Sequence, residues 1–317
     1  MRFVVRLFLI FSLLAVAAAA DEDSSVSLPM ATVEILCSGD VSATSAPGVV
    51  GEAFNNNVTF AEDRFGNAGG SCYFNGEDAF IEIPDADVFS ISTTGALTVS
   101  AWLSPESLNF ENNDNGYVHW MGKGIPQQHE WAFRMYNKDL TEGQEQRPNR
   151  ISAYAFNLSG SLGSGSYVQE TISAGEWIHI VARYDMESNT ISIFKNGVLK
   201  DTDLLTDDTY NVHPENGSAP VRIGTRSQWS YFKGRIDDVR FYDRTLSENE
   251  INSLYNEPDP AQKIGSADST KETKADSSGI TAIQKTDTFL VRPISKSAPN
   301  IYQKNGECYL VNGRIKE

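Results

Sequence analysis

Residues 232–255, FKGRIDDVRFYDRTLSENEINSLY, constrain this chain more than any other stretch, because they join a strand to a capped helix with little slack between them. Gly234 frees the backbone to turn into the strand. Ile236, Val239 and Phe241 are its apolar, β-favouring residues. Their parity breaks at Asp237-Asp238, which predicts either a bulge or a strand covered on both faces. Ser247-x-x-Glu250 reads as a capping box: the serine hydroxyl accepts an orphan backbone N–H, and the glutamate reaches back. Leu246 and Ile251 flank it at staple positions. Ile251, Leu254 and Tyr255 recur at helical spacing, so a short helix docks one face on a core. Pro258 and Pro260 forbid its continuation. A strand locked by a helix in this way closes a β domain.

The rest of the domain is strand-rich. Leu97, Val99, Ala101 and Leu103 share one face of a strand. Ile178, Ile180, Ala182 and Tyr184 share another, with Trp177, His179, Val181 and Arg183 opposite. Glu187-Ser188-Asn189 reads as a turn and Asn196-Gly197 as a hairpin. Many short strands with turns between them argue for an antiparallel sandwich. Residues 104–149 and 200–220 read as long irregular insertions, rich in Asn, Asp, Gln and Pro.

GRIDDVRFYDRTLSxxEI resembles the closing segment of the laminin-G-like jelly-roll modules of the concanavalin A-like lectin/glucanase superfamily. DRFGNAGGSCYFNGEDAFIEIPD (63–85) is similar to the family's entry strands. ALTVSAWLSP (96–105), GEWIHIVARYDMESNTISIFKNGVLK (175–200) and VRIGTR (221–226) are similar to its central strands. The specificity lies in the ordered set, which covers residues 33–256. The resemblance implies an all-β fold, an antiparallel two-sheet jelly-roll sandwich with one short C-terminal helix. Such modules occur as secreted binding domains, as polysaccharide-degrading enzymes and in cell-surface adhesion proteins.

Residues 1–20, MRFVVRLFLIFSLLAVAAAA, have the pattern of a secretory signal peptide, with Arg2 and Arg6 before an apolar run and small residues at its end. Arg6 interrupts that run, so it is not read as a membrane span, and no other segment is apolar enough. Residues 21–32 form a polar leader, 33–256 the jelly-roll domain, 257–279 a disordered linker, and 280–317 a tail with a hairpin signal at Asn305-Gly306. The formal net charge is −16, and it becomes two units more negative once Arg2 and Arg6 are gone. Such a chain repels phosphate backbones, which argues against nucleic acid as a partner. A glycan or an extracellular protein is the expected partner. Of the three cysteines, Cys37 and Cys72 lie in strand-like segments of the same domain and are the expected disulfide, with Cys308 left in the tail.

Catalysis is not expected. Glucanases resembling laminarinases carry a Glu-x-Asp-x-x-Glu strand, which puts nucleophile and acid on one face. Glu77, Asp78 and Glu82 have the wrong spacing, and Glu106, Glu111 and Asp114 lie in loop sequence. The family resemblance implies a calcium site at the first acid of I-D-D, completed by an N-terminal loop of the form Asp-x-Ser-Gly-Asn-Gly. The ungapped equivalent here is SAPGVV from Ser45, which keeps Gly48 and lacks the acid. Asp237, Asp238 and Asp63 are the candidate ligands, short of the six to eight oxygens calcium takes. The alternative is that Asp237 caps backbone N–H groups at a bulge. Trp102 and Trp177 read as core. Trp120, Trp131, Tyr136 and Trp229 lie in or beside the long insertions and are the candidate ligand-stacking aromatics, since loops on a rigid sandwich carry specificity.

Overall fold

The computed structural model describes residues 27–110, 116–137, 147–206 and 212–260 in full, and the backbone of 301–304 and 307–310. The expected signal peptide and most of the expected linker lie outside the described residues. The chain divides into two units, Met1–Ile264 and Gly265–Glu317.

In chain order, the strands of the first unit are β1 (Val33–Cys37), β2 (Val41–Ser45), β3 (Phe54–Asn56), β4 (Thr59–Ala61), β5 (Ser71–Asn75) and β6 (Phe80–Ile83). After a helical turn α1 (Ile91–Thr94) come β7 (Ala96–Pro105), β8 (Tyr117–Lys123), β9 (Trp131–Tyr136), β10 (Arg150–Phe156) and β11 (Gly163–Gln169). Then follow β12 (Ile178–Asp185), β13 (Thr190–Lys195), β14 (Val198–Leu204), β15 (Val221–Ile223), β16 (Lys233–Tyr242) and the helix α2 (Glu248–Tyr255). One sheet runs β14-β13-β12-β7-β16-β1-β2, with β5 also on β16 and β4 on β5; the other runs β11-β10-β9-β8-β15-β6-β3. Every pairing is antiparallel. This is the expected two-sheet jelly-roll sandwich. In the second unit β17 (Ile301–Lys304) pairs with β18 (Glu307–Leu310); the expected turn at Asn305-Gly306 lies outside the described residues.

The inward sides of the two sheets form one core, which contains Leu97, Val99, Ala101 and Leu103 of β7 and Ile178, Ile180, Ala182 and Tyr184 of β12. Asn196 and Gly197, both with positive φ, join β13 to β14 as a two-residue hairpin. Both readings of Asp237-Asp238 hold at once. β16 shifts register against β7 between Asp237 and Arg240, and its residues from Ile236 onward are all buried. Asp238 takes φ +48° at this bulge. Gly234 is a correction: it does not make a turn but lies within β16 at φ +147°, where a Cβ would strike the backbone of Ser104.

Cys37 and Cys72 form a disulfide, with Cα atoms 5.3 Å apart. β5 and β1 lie end to end along one edge of β16, through Cys72↔Ile236 and Ile35↔Val239. The disulfide therefore splices two short strands where the bulge would otherwise separate them.

Helix α2 carries the complete capping box between Ser247 and Glu250. Arg244 holds the Glu250 carboxyl down at about 2 by donating to it at 2.7 Å. Leu246, Ile251 and Leu254 pack with Val181, Phe194 and Tyr242 on the outer side of the first sheet. Ser247→Ala should cost about 1 kcal/mol of unfolding free energy through the lost cap, read as a lower urea midpoint at unchanged slope.

Candidate functional site

Trp120 and Trp131 are fully buried in the sandwich core, so the expectation that they stack on a ligand is corrected. The stretch read as an insertion contains β8 and β9. A register shift between His119 and Met121 turns both Trp120 and Met121 inward, which erases the period-2 pattern. The Trp131 indole donates to the Phe89 carbonyl at 2.8 Å. Tyr136 is buried too, edge-on to Tyr117 at 4.8 Å on the outer side of the same sheet. Trp229, at 58% exposure, is the one of the four that reaches solvent.

The outer side of this sheet has a distinct chemistry. Alternation turns Ile151, Ala153 and Ala155 of β10 inward and leaves Arg150, Ser152, Tyr154 and Phe156 outside. On β9 the same rule places Arg134 outside, and on β11 it places Tyr167, which is 42% exposed. The Arg134 guanidinium lies over the rings of Tyr154 (3.7 Å) and Tyr117 (4.2 Å). Arg150 lies over Tyr167 at 3.9 Å and is oriented by Gln169 at 2.9 Å. Arg226 lies over Phe156 at 5.4 Å, and Phe156 stacks near Tyr154 at 5.9 Å. Gly165 is required here, since a Cβ would strike the Tyr154 ring. The loop that carries Trp229 folds over β8: Ser230 Oγ accepts the His119 N–H at 3.2 Å, and Arg226 packs on Gly122. Four strands and one loop thus contribute to a band of alternating rings and guanidinium groups; Tyr167 at one end is exposed, and the loop that supplies Arg226 also carries the exposed Trp229. Of the expected aromatics only Trp229 is exposed, and the sequence offered no direct pointer to the band. The indirect signal it carried was the tyrosine-bearing outer parity of RISAYAF beside the glycine-rich GSGSYVQ.

The three candidate calcium ligands are committed elsewhere. Asp63 Oδ1 accepts the N–H groups of Phe65 and Asn67, each at 2.8 Å, and Oδ2 accepts from Asn67 Nδ2 at 2.9 Å. Asp237 accepts the N–H of Asp238 at 2.8 Å, the bulge cap that the alternative reading described. Asp238 pairs with the Arg64 guanidinium, which lies 3.6 Å from Asp237. Arg240 bridges Glu34 (2.9 Å), Glu257 (2.7 Å) and Asp238 (3.4 Å). Burial, and the neighbouring Asp238 after it, push the Asp237 carboxyl up against the opposing pull of Arg64. His179, beneath the cluster, is held neutral, at about 3, by burial and by Arg64 and Arg240. Among the described residues, no group of three or more His, Cys, Asp and Glu is arranged to hold a metal. These residues do not fit a bound calcium. Beside the cluster, Phe65, Trp102, Trp177 and Tyr255 line a groove of about 330 Å³. Trp102 is buried under Tyr255 on the outer side of the first sheet, not in the core, and Trp177 is half-buried beneath Arg235.

Comparison with known proteins places this architecture. The binding domain of botulinum neurotoxin serotype D superposes with a TM-score of 0.52 at 14% identity, over 71% of this chain and 51% of that one. The ligand-binding domain of the same serotype, solved in complex with N-acetylneuraminic acid, gives 0.51 at 13% identity over 71% and 50%. The receptor-binding domain of the C/D mosaic serotype gives 0.51 at 12% identity over 71% and 51%. These likenesses are of fold, and the chain spans about half the length of those structures. No curated protein matches the sequence. The laminin-G-type model described as the concanavalin A-like lectin/glucanases superfamily matches residues 74–252, more than half of the chain, and the chain belongs to that family.

Proposed function

We propose that this is a secreted, non-catalytic binding module that takes a glycan on the outer face of its seven-stranded sheet, with acidic sugars favoured. The observation that carries the reading is the band Tyr167–Arg150, Tyr154–Arg134–Tyr117 and Phe156–Arg226, with the exposed Trp229 on the loop that supplies Arg226. Aromatic rings offer apolar faces with polar edges, which suits a sugar ring. Guanidinium groups offer paired donors that match a carboxylate. Three arginines, Arg134, Arg150 and Arg226, gathered on one face of a chain of net charge −16 would steer an anionic ligand there. A neurotoxin domain of this fold was solved with N-acetylneuraminic acid, which supports a glycan as the ligand class. Among the described strand residues turned outward on this sheet, Glu82 is the one carboxylate, and Arg222 holds it at 2.8 Å. A retaining or inverting pair would need two. The signal-like leader and the disulfide support an extracellular destination, and no described helix is long and apolar enough to cross a membrane.

The test is a glycan array of neutral and acidic saccharides with the secreted protein, followed by titration of the best ligand. Trp229→Ala and Tyr167→Ala should each weaken binding by about 1–3 kcal/mol, roughly five- to 150-fold. An array with no bound saccharide, or release of reducing sugar from any of them, would overturn the reading.

A further inference from the structure

We propose that Arg64 fills, from within the chain, the position a metal cation would take between Asp237 and Asp238, so that this domain folds independently of calcium. The Arg64 side chain is 6% exposed. Its guanidinium pairs with Asp238, stands 3.6 Å from Asp237 and 3.9 Å from Glu257, and lies over the rings of Phe65 (4.3 Å) and Trp102 (4.7 Å). Two aromatic faces and two carboxylates suit a planar, weakly hydrated guanidinium. They do not suit calcium, which wants six to eight oxygens around it. Asp63 serves this arrangement without being a ligand. By accepting the N–H groups of Phe65 and Asn67 it fixes the turn that delivers Arg64 to the bulge. The same turn is tied to the domain's end, since Asn67 also donates to Asp259 at 3.1 Å.

The bulge makes the site. It turns Asp237 and Asp238 to the same outer side of β16, where like charges repel, and Arg64 meets both. Removing the guanidinium should leave two buried carboxylates facing each other, a pair that a divalent ion would then stabilise.

The experiment is thermal unfolding of the full chain in millimolar calcium and in chelator, with calorimetric titration of calcium chloride alongside. The wild-type protein should melt at the same temperature in both and give no saturable heat. Arg64→Ala should melt about 10 °C lower in chelator, as expected for breaking a buried ion pair in a domain of this size. Calcium should recover part of that loss by binding the folded state. Should Arg64→Ala not fold, Arg64→Lys, which keeps the charge without the planar stack, should fold, melt below the wild type and show no calcium response. One-to-one calcium binding by the wild-type protein that Asp237→Asn abolishes would overturn the proposal. So would an Arg64→Ala protein that melts like wild type, or one that calcium leaves unchanged.

Discussion

Replacing Cys37 and Cys72 together by serine is expected to remove on the order of 4 kcal/mol of stability. The two residues are 35 apart in sequence, and chain entropy alone assigns a loop of that length about that much. The location adds a second reason. β1 and β5 are short strands of five residues each, and both pair with the same edge of β16. Without the disulfide they meet β16 as two separate strands on either side of a bulge. Both half-cystines are buried in the core, so serine would also bring two hydroxyl groups into apolar surroundings. Urea titration of the double variant should show a midpoint lowered in proportion, and the melting temperature should fall by about 10 °C for a domain of this size. A double variant that unfolds at the wild-type midpoint would mean that β16 holds both strands unaided.

The elements legible in the sequence are those whose signal is local. The capping box, the staple residues and the Asn196-Gly197 hairpin each need only a few consecutive residues to be specified. β7 and β12 were legible because their alternation runs unbroken across eight or more residues. β8 and β9 were not, because the bulge at His119–Met121 puts consecutive residues on one side, and polar sequence flanks both strands. Trp120 and Trp131 therefore read as loop residues although they belong to the core, and Tyr136 although it is buried on the outer side of the sheet. The proposed binding face was hidden for another reason. Arg134, Tyr154 and Tyr167 are separated by 20 and 13 positions, and only the register of β9, β10 and β11 brings them side by side. The role of Arg64 was equally out of reach, since it depends on a partner 174 residues away. Motif reading picked out the acids of I-D-D, but the counter-charge that decides their chemistry lies in D-R-F-G.

Trp131→Ala should destabilise the domain by about 4 kcal/mol and leave nothing for a ligand assay to explain. The indole is wholly buried, lies at 6.1 Å from the rings of both Phe133 and Phe241, and donates to the Phe89 carbonyl. Truncation leaves a large cavity and an unpaired carbonyl, and each adds to the cost. It also releases the segment before β7, because Phe89 packs against Phe241 at 4.9 Å from the same site. Trp229→Ala is the opposite case. Its side chain stands in solvent on the loop over β8, so its removal should change unfolding by no more than about 0.5 kcal/mol while weakening the glycan complex. The two tryptophans look alike in sequence, each in a polar neighbourhood of the chain. Measured together, they separate core from binding face in one pair of experiments. Equal loss of stability in both variants would place the Trp229 loop among the elements that hold the sandwich together and remove it from the binding face.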